Sequence, residues 1–298
     1  MSLKAEGRRR SFHFSLSAGS KRNRKTYGDI LMLLVIIILA LFSIVPLIMS
    51  VNMSLKPIRE LFYYPQRIFA ENPTMDNFIM LFSLMQTTWV PFERYAFNTI
   101  FITLATTFGH ILLASMAAYP LAKLKIPLIN FFNSMVLLAL MFVPAINDVA
   151  NYLTISYLGW IDTYLAAIIP SIGVPLGLFI MKNYMSTIPM TLIEAARIDG
   201  AGESRIYWKI IMPMSKPAWL TVGILMFQQM WSQNNSQYVY SEQLKTLPYA
   251  LNQITSGGLV RMGAAQAVGV LVLVVPAAVF MINQAKIIDT MATSGIKE

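Results

Sequence analysis

The feature that most constrains this chain is a set of long stretches without a charged side chain. Six runs free of Asp, Glu, Lys and Arg reach at least 19 residues: Ile30–Leu55, Tyr95–Ala122, Ile126–Asn147, Thr163–Met181, Pro217–Ser241 and Met262–Ala285. An α-helix needs about 20 mostly apolar residues to cross a hydrocarbon core of about 30 Å. The sequence therefore predicts an all-α membrane protein with six transmembrane helices, at about 30–52, 95–120, 128–147, 163–182, 217–238 and 264–285.

The remaining segments are too short to fold as soluble domains. The next longest charge-free run, Asn77–Phe92, has 16 residues and includes two amides, two threonines and a proline. This composition is typical of an interfacial or loop helix rather than of a span. We therefore expect one membrane domain, 30–285, between a basic leader, 1–29, and a short tail, 286–298.

Lysine and arginine predict the orientation of the spans. If the N-terminus is cytoplasmic, the leader, the turn after the second span, the stretch 182–216 and the tail hold 8, 2, 5 and 2 Lys or Arg residues, which is 17 of the 23. Basic residues concentrate in cytoplasmic loops. We therefore predict a multi-pass protein of the cell (plasma or inner) membrane with both termini in the cytoplasm.

Composition excludes several classes of function. The net charge is +9, but only 12% of residues are charged, and the cations sit between apolar runs, so a nucleic-acid surface is not expected. The chain has no cysteine and two histidines, which excludes thiolate catalysis and Cys-type metal sites. It has no GxxxxGK[ST] phosphate loop. We predict no catalytic residue, no cofactor site and no metal site in this chain.

The loop 186–215 carries the most specific pattern. Ser186 or Thr187 is placed to cap a helix that has Pro189 in its first turn. The run from Asp199 to Gly202 predicts the end of that helix, and a second helix, Glu203–Ile211, is predicted to stop before Pro213. The sequence thus predicts a compact helix–turn–helix protrusion on the cytoplasmic side.

The same loop resembles a known signature. Glu194-Ala195-Ala196, three residues, Gly200, nine residues, Ile210, one residue and Met212-Pro213 are similar to the EAA motif of ABC importer permeases, with Met212 where the family has leucine. The version here looks like that of maltose-type carbohydrate-uptake permeases. Further similarity lies in Asn98-Thr99, Ala118–Lys123, Leu158–Tyr164 and Thr290–Lys297. The resemblance covers roughly residues 28–298.

This resemblance implies the type I importer fold, with the loop acting as a coupling helix. In the family, that helix docks on a cytoplasmic ATPase dimer, which binds ATP and Mg. A second permease subunit, forming a heterodimer, and an extracytoplasmic solute-binding protein complete the transporter, and the implied substrate is a carbohydrate, as an oligosaccharide. The residues implied in docking and coupling are Glu194, Ala195, Ala196, Asp199, Gly200, Ile210 and Pro213.

Two polar patches within or beside the spans are candidates for a substrate pathway. The first is Gln228, Gln229, Trp231 and Asn234, and the second is Asn147 and Asn151. Amides in a bilayer mark a cavity or a bundle interior, and amides with an aromatic ring suit sugars. An interfacial aromatic belt, interhelical hydrogen bonds or a helix cap explain the same residues. His110 is expected to be a packing residue.

Other classes of function compete with this interpretation. An ABC permease for a non-sugar solute would carry the same motif. An ion-coupled secondary transporter is expected to place charged residues within its spans, and the six runs contain none. A membrane scaffold protein would not need the two-helix protrusion.

Overall fold

A computed structural model describes residues 27–65, 67–86, 90–124, 127–142, 144–258 and 261–294. Secondary structure in these ranges is helix and turn, without a strand. The predicted leader lies outside the described residues up to position 26, and the tail lies outside them from position 295 onward. The all-α prediction is confirmed for the part that is described.

Fourteen α-helical segments occur in the described residues. In chain order they are α1 (Tyr27–Leu55), α2 (Ile58–Leu61), α3 (Asp76–Gln86), α4 (Phe92–Lys123), α5 (Ile129–Met141), α6 (Pro144–Tyr157), α7 (Tyr164–Ile172), α8 (Pro175–Thr187), α9 (Met190–Ile198), α10 (Glu203–Ile206), α11 (Met212–Met214), α12 (Lys216–Ser232), α13 (Leu247–Thr255) and α14 (Met262–Ser294). A π-helical turn, Tyr207–Ile211, joins α10 to α11, and a 3₁₀ turn covers Glu242–Leu244.

The chain divides into two compact units between Leu47 and Ile48. The described part of the first unit is the leading portion of α1, whose side chains from position 30 to 47 are exposed around the whole helix. These side chains are almost all large and apolar. A helix that is apolar on every side is typical of a membrane span.

The second unit is built around α4. This helix packs against α7, α8 and α12, and α12 packs in turn against α14. One core cluster joins α4, α8, α9 and α12 and includes Met181, Met185, Ile193 and Ile211. A second cluster joins α3, α13 and α14 around Leu81 and Leu251.

Among the described residues, four helical stretches are long and apolar enough to cross a membrane, or five if a bent pair of helices counts as one span. The four are Ile30–Leu55, Phe92–Lys123, Tyr164–Thr187 and Met262–Asn283. The bent pair joins Glu203–Met214 to Lys216–Ser232 at 74°. Glu203, Arg205 and Lys209 are charged and charges within hydrocarbon are costly, so we do not count Glu203–Met214 as membrane-spanning.

The third predicted span is interrupted. Where the sequence predicts one helix over 128–147, α5 has 13 residues and ends at Met141, and α6 begins at Pro144. Proline lacks the N–H that would continue the preceding helix, and it disfavours helical backbone in the residue before it. The described residues therefore give fewer full-length spans than the six predicted.

Other span boundaries also move. The predicted span 217–238 ends at Ser232, because the amide-rich residues 233–238 form a loop. The span 163–182 is broken at Gly173–Val174, just before Pro175. The helices α1, α4 and α14 run beyond their predicted ends at 52, 120 and 285.

Candidate functional site

The loop with the EAA-like pattern folds into a small helical protrusion, residues 188–215, which we call the knob. Its first helix, α9, has two faces. Ile193 and Ala196 are buried, whereas Glu194, Ala195 and Asp199 are exposed. The exposed face also carries apolar side chains, with Ile198 87% and Leu192 42% exposed. The knob therefore presents a mixed apolar and acidic surface.

The start of α9 differs from the sequence prediction. Ser186 and Thr187 belong to the end of α8, and their hydroxyls donate to the carbonyls of Lys182 and Tyr184. They do not cap α9, which begins after Pro189. The cap prediction was wrong because hydroxyls near a helix end bond back to the preceding turn as readily as forward.

The end of α9 agrees with the sequence prediction. Asp199 follows the last helical residue, and Gly200 has a φ of +77°, which glycine adopts without steric cost. The N–H of Ala201 donates to the carbonyl of Ala196 at 2.9 Å and that of Gly200 to the carbonyl of Arg197 at 3.0 Å. These bonds satisfy the last carbonyls of the helix.

The second half of the knob passes through Pro213 without a break. The helical path from Glu203 continues through the π-helical turn to Met214, and Ser215 marks the bend. The prediction that Pro213 stops this helix was wrong. A π-helical turn already departs from the i→i−4 bonding that proline removes. Ile210 is half-buried and Pro213 is exposed.

Glu203 ties the knob to α4. The Tyr119 hydroxyl donates to Glu203 Oε2 at 2.5 Å, and Arg197 Nε donates to Glu203 Oε1 at 2.9 Å. The hydrogen bond from Tyr119, followed by those from Arg197, holds the pKa of the Glu203 carboxyl below its usual range, against the opposing effect of burial. The carboxylate thus joins α4, α9 and α10.

Further bonds run from the end of α4 to the knob. Ser115 Oγ and the Tyr207 hydroxyl are 2.6 Å apart. Lys123 Nζ donates to the carbonyls of Ser186 and Ile188, the latter at 2.5 Å. These contacts have no local signature in the sequence, because the partners lie 63 to 92 residues apart. The one signal that points to them is that Tyr119 and Lys123 fall within a segment that resembles the family.

The opposite end of α4 holds a second segment, residues 242–247. Asn98 Nδ2 donates to the carbonyls of Gln243 and Lys245 at 2.8 and 2.9 Å, and Asn98 Oδ1 accepts from the Tyr164 hydroxyl. Thr99 Oγ1 accepts from the N–H of Leu247 at 2.7 Å.

Asp162, in the turn between α6 and α7, fastens the same region. It has a φ of +63°, and its carboxylate accepts the N–H of Tyr240 at 2.9 Å and that of Ser241 at 2.7 Å. The Ser241 hydroxyl also donates to it. The bonds from Ser241 are the main cause that lowers the pKa of Asp162 below its ordinary value of 3.8.

The predicted pathway residues lie in different settings. Gln228 is half-buried and Gln229 exposed, whereas Trp231 is 9% exposed and stacks on Phe227 at 5.8 Å. Asn234 is exposed and accepts the N–H of Ser236 in a local turn.

The second pathway patch lies on α6. Asn147 is exposed and Asn151 half-buried. Nearby on the same helix, the Tyr152 hydroxyl lies 3.4 Å from the hydroxyl of Tyr240, in the loop after α12. The loop after α12 therefore connects α6 to the α12 patch.

Comparison with known proteins identifies the family. Residues 110–291, more than half of the chain, match the family described as binding-protein-dependent transport system inner membrane component. The chain belongs to this family. It is therefore a permease component of a transport system, and the knob, residues 188–215, lies inside the matched region.

Two relatives illustrate the range of the similarity. The permease is 30% identical over 219 residues to the arabinooligosaccharides transport system permease protein AraQ of Halalkalibacterium halodurans. This alignment covers 72% of this chain and 76% of AraQ. It is 31% identical over 143 residues to the sn-glycerol-3-phosphate transport system permease protein UgpE of Yersinia enterocolitica. That match covers 48% of this chain and about half of UgpE, 51%.

A solved structure shares the fold. One chain of a bacterial ABC transporter involved in the import of the acidic polysaccharide alginate superposes with a TM-score of 0.71 at 20% identity. The alignment covers 87% of this permease and 98% of the other chain. At this identity the likeness shows the fold alone.

In the ranges that the structure describes, no group of three or more His, Cys, Asp or Glu side chains is placed to hold a metal ion. His110 is instead engaged in packing. It is 2% exposed, and its Nδ1 lies 2.7 Å from the carbonyl oxygen of Ile172, the last residue of α7. Because a carbonyl only accepts, Nδ1 carries the proton of this bond.

Proposed function

We propose that this permease is a subunit of an ATP-driven, binding-protein-dependent importer of carbohydrate, and that its substrate is an oligosaccharide. The observation that carries the proposal is the knob. One face of α9 is buried against the bundle, and the other exposes Glu194, Ala195 and Ile198 without covering contacts in the described chain. Such a surface on a component of a binding-protein-dependent transport system fits a docking site for a cytoplasmic ATPase.

The composition of this face suits close docking. Ala195 allows a partner backbone to approach, Ile198 and Leu192 supply apolar area, and Glu194 and Asp199 supply charges that fix the register. Gly200 permits the turn that brings α10 beside α9. Ile210 and Pro213 belong to the second half of the knob, which supports α9 from behind.

The proposal includes the rest of the assembly. In it, the permease has six spans with both termini in the cytoplasm, so the knob faces the cytoplasm. ATP and Mg bind to a partner ATPase dimer, a second permease subunit completes the pore as a heterodimer, and an extracytoplasmic binding protein delivers the substrate. Gln228, Gln229, Trp231, Asn234, Asn147 and Asn151 are the residues of this chain proposed to line the pathway.

Carbohydrate is favoured as the substrate because AraQ is named for arabinooligosaccharides and its match covers most of both chains. The match to UgpE, named for sn-glycerol-3-phosphate, covers about half of each chain. A non-sugar solute is therefore the second candidate. Isothermal titration of the partner binding protein with arabino-oligosaccharides, glucans, uronic-acid oligomers and sn-glycerol-3-phosphate separates the two candidates.

The coupling role is tested by changing exposed charges on the knob. Glu194→Gln removes the charge from the proposed docking face, and Arg205→Gln is the matched control, since Arg205 is also exposed but lies on α10. We expect Glu194→Gln to abolish ATP-dependent uptake and to reduce co-purification of the ATPase. Arg205→Gln should retain both, and membrane insertion should be unchanged in either variant.

Gly200→Ala gives an independent test of the same face. A side chain at a φ of +77° costs roughly 1–2 kcal/mol, which shifts the end of α9 without touching Glu194. Uptake should fall while the amount of permease in the membrane stays the same. Normal uptake in both Glu194→Gln and Gly200→Ala would refute the coupling role, as would uptake that persists after ATP depletion with the ion gradient intact.

A further inference from the structure

Two charged side chains are buried just after α1 and at the end of α2, whereas the aromatic side chains that follow them are exposed. Residues 61–65 and 67–69, which we call the aromatic loop, expose Phe62, Tyr63, Tyr64, Ile68 and Phe69 to between 53% and 97%, with Tyr64 at 97%. In contrast, Lys56 and Glu60, just before the loop, are 3% and 9% exposed. Loops that face water usually show the reverse arrangement.

The buried and half-buried polar side chains next to the loop form hydrogen bonds with its backbone. Glu60 accepts the N–H groups of Glu71 and Asn72 at 3.1 and 3.0 Å. Lys56 Nζ donates to the carbonyl of Arg67, and the N–H of Ala70 donates to Asn52 Oδ1 at 2.9 Å. The aromatic side chains are therefore displayed by a bonded scaffold.

The loop lies close to the ends of two apolar helices, α1 and α14. The loop follows Leu55, the end of one apolar stretch, and Asn77 Nδ2 donates to the carbonyls of Ser54 and Lys56 at 2.8 and 2.7 Å. Asn77 also packs on Gly263, one residue inside α14, where an added Cβ would lie 2.1 Å from Asn77 Oδ1. The aromatic loop thus lies where two membrane-crossing stretches end.

Helix α3 repeats the pattern on its own surface. Met75, just before the helix, and Ile79 and Phe82 within it are 62%, 64% and 50% exposed and share one side at helical spacing. An adjacent side, with Leu81 and Met85, is buried against α13 and α14. An exposed apolar stripe on a short amphipathic helix is typical of segments that lie in a membrane interface.

We propose that the aromatic loop binds the headgroup region of the lipid bilayer. Tyr63 and Tyr64 suit this depth because a tyrosine ring is apolar and its hydroxyl is polar. The apolar side chains of Phe62, Ile68 and Phe69 can lie against the hydrocarbon beneath it. Arg59 is exposed beside the loop and is available to lipid phosphates. In this position the loop sets the level at which α1 and α14 leave the hydrocarbon.

The absence of cysteine from the chain permits a direct test. Tyr64→Cys and Phe69→Cys each give a single site for an environment-sensitive nitrobenzoxadiazole label. Asn72→Cys is the matched control, because Asn72 is an exposed polar residue of the same segment and its side chain makes one long hydrogen bond, 3.4 Å, to Glu60 Oε1. Each full-length variant is labelled and placed in nanodiscs of phosphatidylethanolamine and phosphatidylglycerol, alone and after assembly with its partner subunits.

We expect shallow nitroxide-labelled lipids to quench the probe at 64 and 69 several times more strongly than the probe at 72, in both preparations. Aqueous iodide should give the reverse order. If iodide reaches 64 and 69 as readily as 72, the loop lies in water and the proposal is wrong. Protection of 64 and 69 from both quenchers after assembly would mean that a partner protein covers the loop, which also overturns it.

Discussion

The contact between Gly177 on α8 and His110 on α4 allows a quantitative test of the bundle. A Cβ at position 177 would lie 2.0 Å from His110 Nε2 and 2.8 Å from Cε1, whereas ordinary van der Waals contact begins at 3.4 Å. His110 cannot swing away freely, because it is 2% exposed and is bonded to the Ile172 carbonyl at 2.7 Å. Gly177→Ala must therefore separate the two helices or break that bond.

The expected cost follows from these contacts. Overpacking of a core costs about 1–3 kcal/mol, and loss of the His110 bond would add about 1 kcal/mol. Alanine has a higher helix propensity than glycine, which offsets at most about 1 kcal/mol of this loss of stability. We expect Gly177→Ala to lower the free energy of unfolding by about 2 kcal/mol, measured by titration with sodium dodecyl sulfate in mixed micelles and followed by circular dichroism.

Gly173, four residues earlier, is the matched control. A Cβ there meets only the Pro170 carbonyl at 3.6 Å, and its φ is −78°, so Gly173→Ala should change the free energy by less than about 0.5 kcal/mol. In a His110→Ala background, Gly177→Ala should lose much of its effect, since the clashing ring is gone. Equal losses for the two glycines, or an undiminished loss without His110, would refute the reasoning.

Two substitutions and one pH titration test the hydrogen bonds of Glu203 and of Asp162. Tyr119→Phe removes the hydroxyl that donates a hydrogen bond to Glu203. Because the Glu203 side chain is 47% exposed, the free energy of unfolding should fall by only about 1 kcal/mol. The amount of substrate taken up per ATP hydrolysed should also fall. Asp162→Asn keeps a residue that tolerates positive φ but removes the charge. The backbone amides of Tyr240 and Ser241 should then exchange hydrogen faster, because the free energy that protects them from exchange falls by roughly 1 kcal/mol. The pKa of Asp162 is lowered by folding, so its contribution to stability should be complete above about pH 4 and be lost as the pH falls through the lower folded value. Protection of these two amides that is independent of pH below 4, after correction for intrinsic rates, would contradict this assignment.

Patterns within short stretches of the sequence predicted much of the helical framework. The charge-free runs located α1, α4 and α14, because apolar length is the dominant requirement for a span. The Asp199-Gly200 pair located the end of α9, because a left-handed residue is needed there.

The length of a charge-free run did not predict where every helix ends. The run 217–238 was counted as a span because it lacks charges, yet its last six residues are mostly amides and form a loop. The run 128–147 was counted in spite of Pro144, which separates α5 from α6.

The bonds that shape the candidate site could not be found by local patterns. Glu203 and Tyr119 are 84 residues apart, and Asn98 and Lys245 are 147 apart. A single glutamate in the first turn of a short helix predicts a favourable interaction with the helix dipole and says nothing about a phenol on another helix. Finding such pairs requires the packing of α4 against its neighbours.

These long-range bonds give α4 a specific mechanical role. It has 32 residues, and a helix of this length extends about 48 Å and is stiff along its axis. Near its start, Asn98 and Thr99 hold the segment 242–247, and near its end, Tyr119 and Lys123 hold the knob. Most of these side chains are buried with their hydrogen bonds satisfied, so detaching either segment would leave polar groups unpaired at a high cost. In the proposed importer, a displacement of the knob therefore reaches the opposite end of the bundle through movement of α4 as a whole, without a change inside the helix.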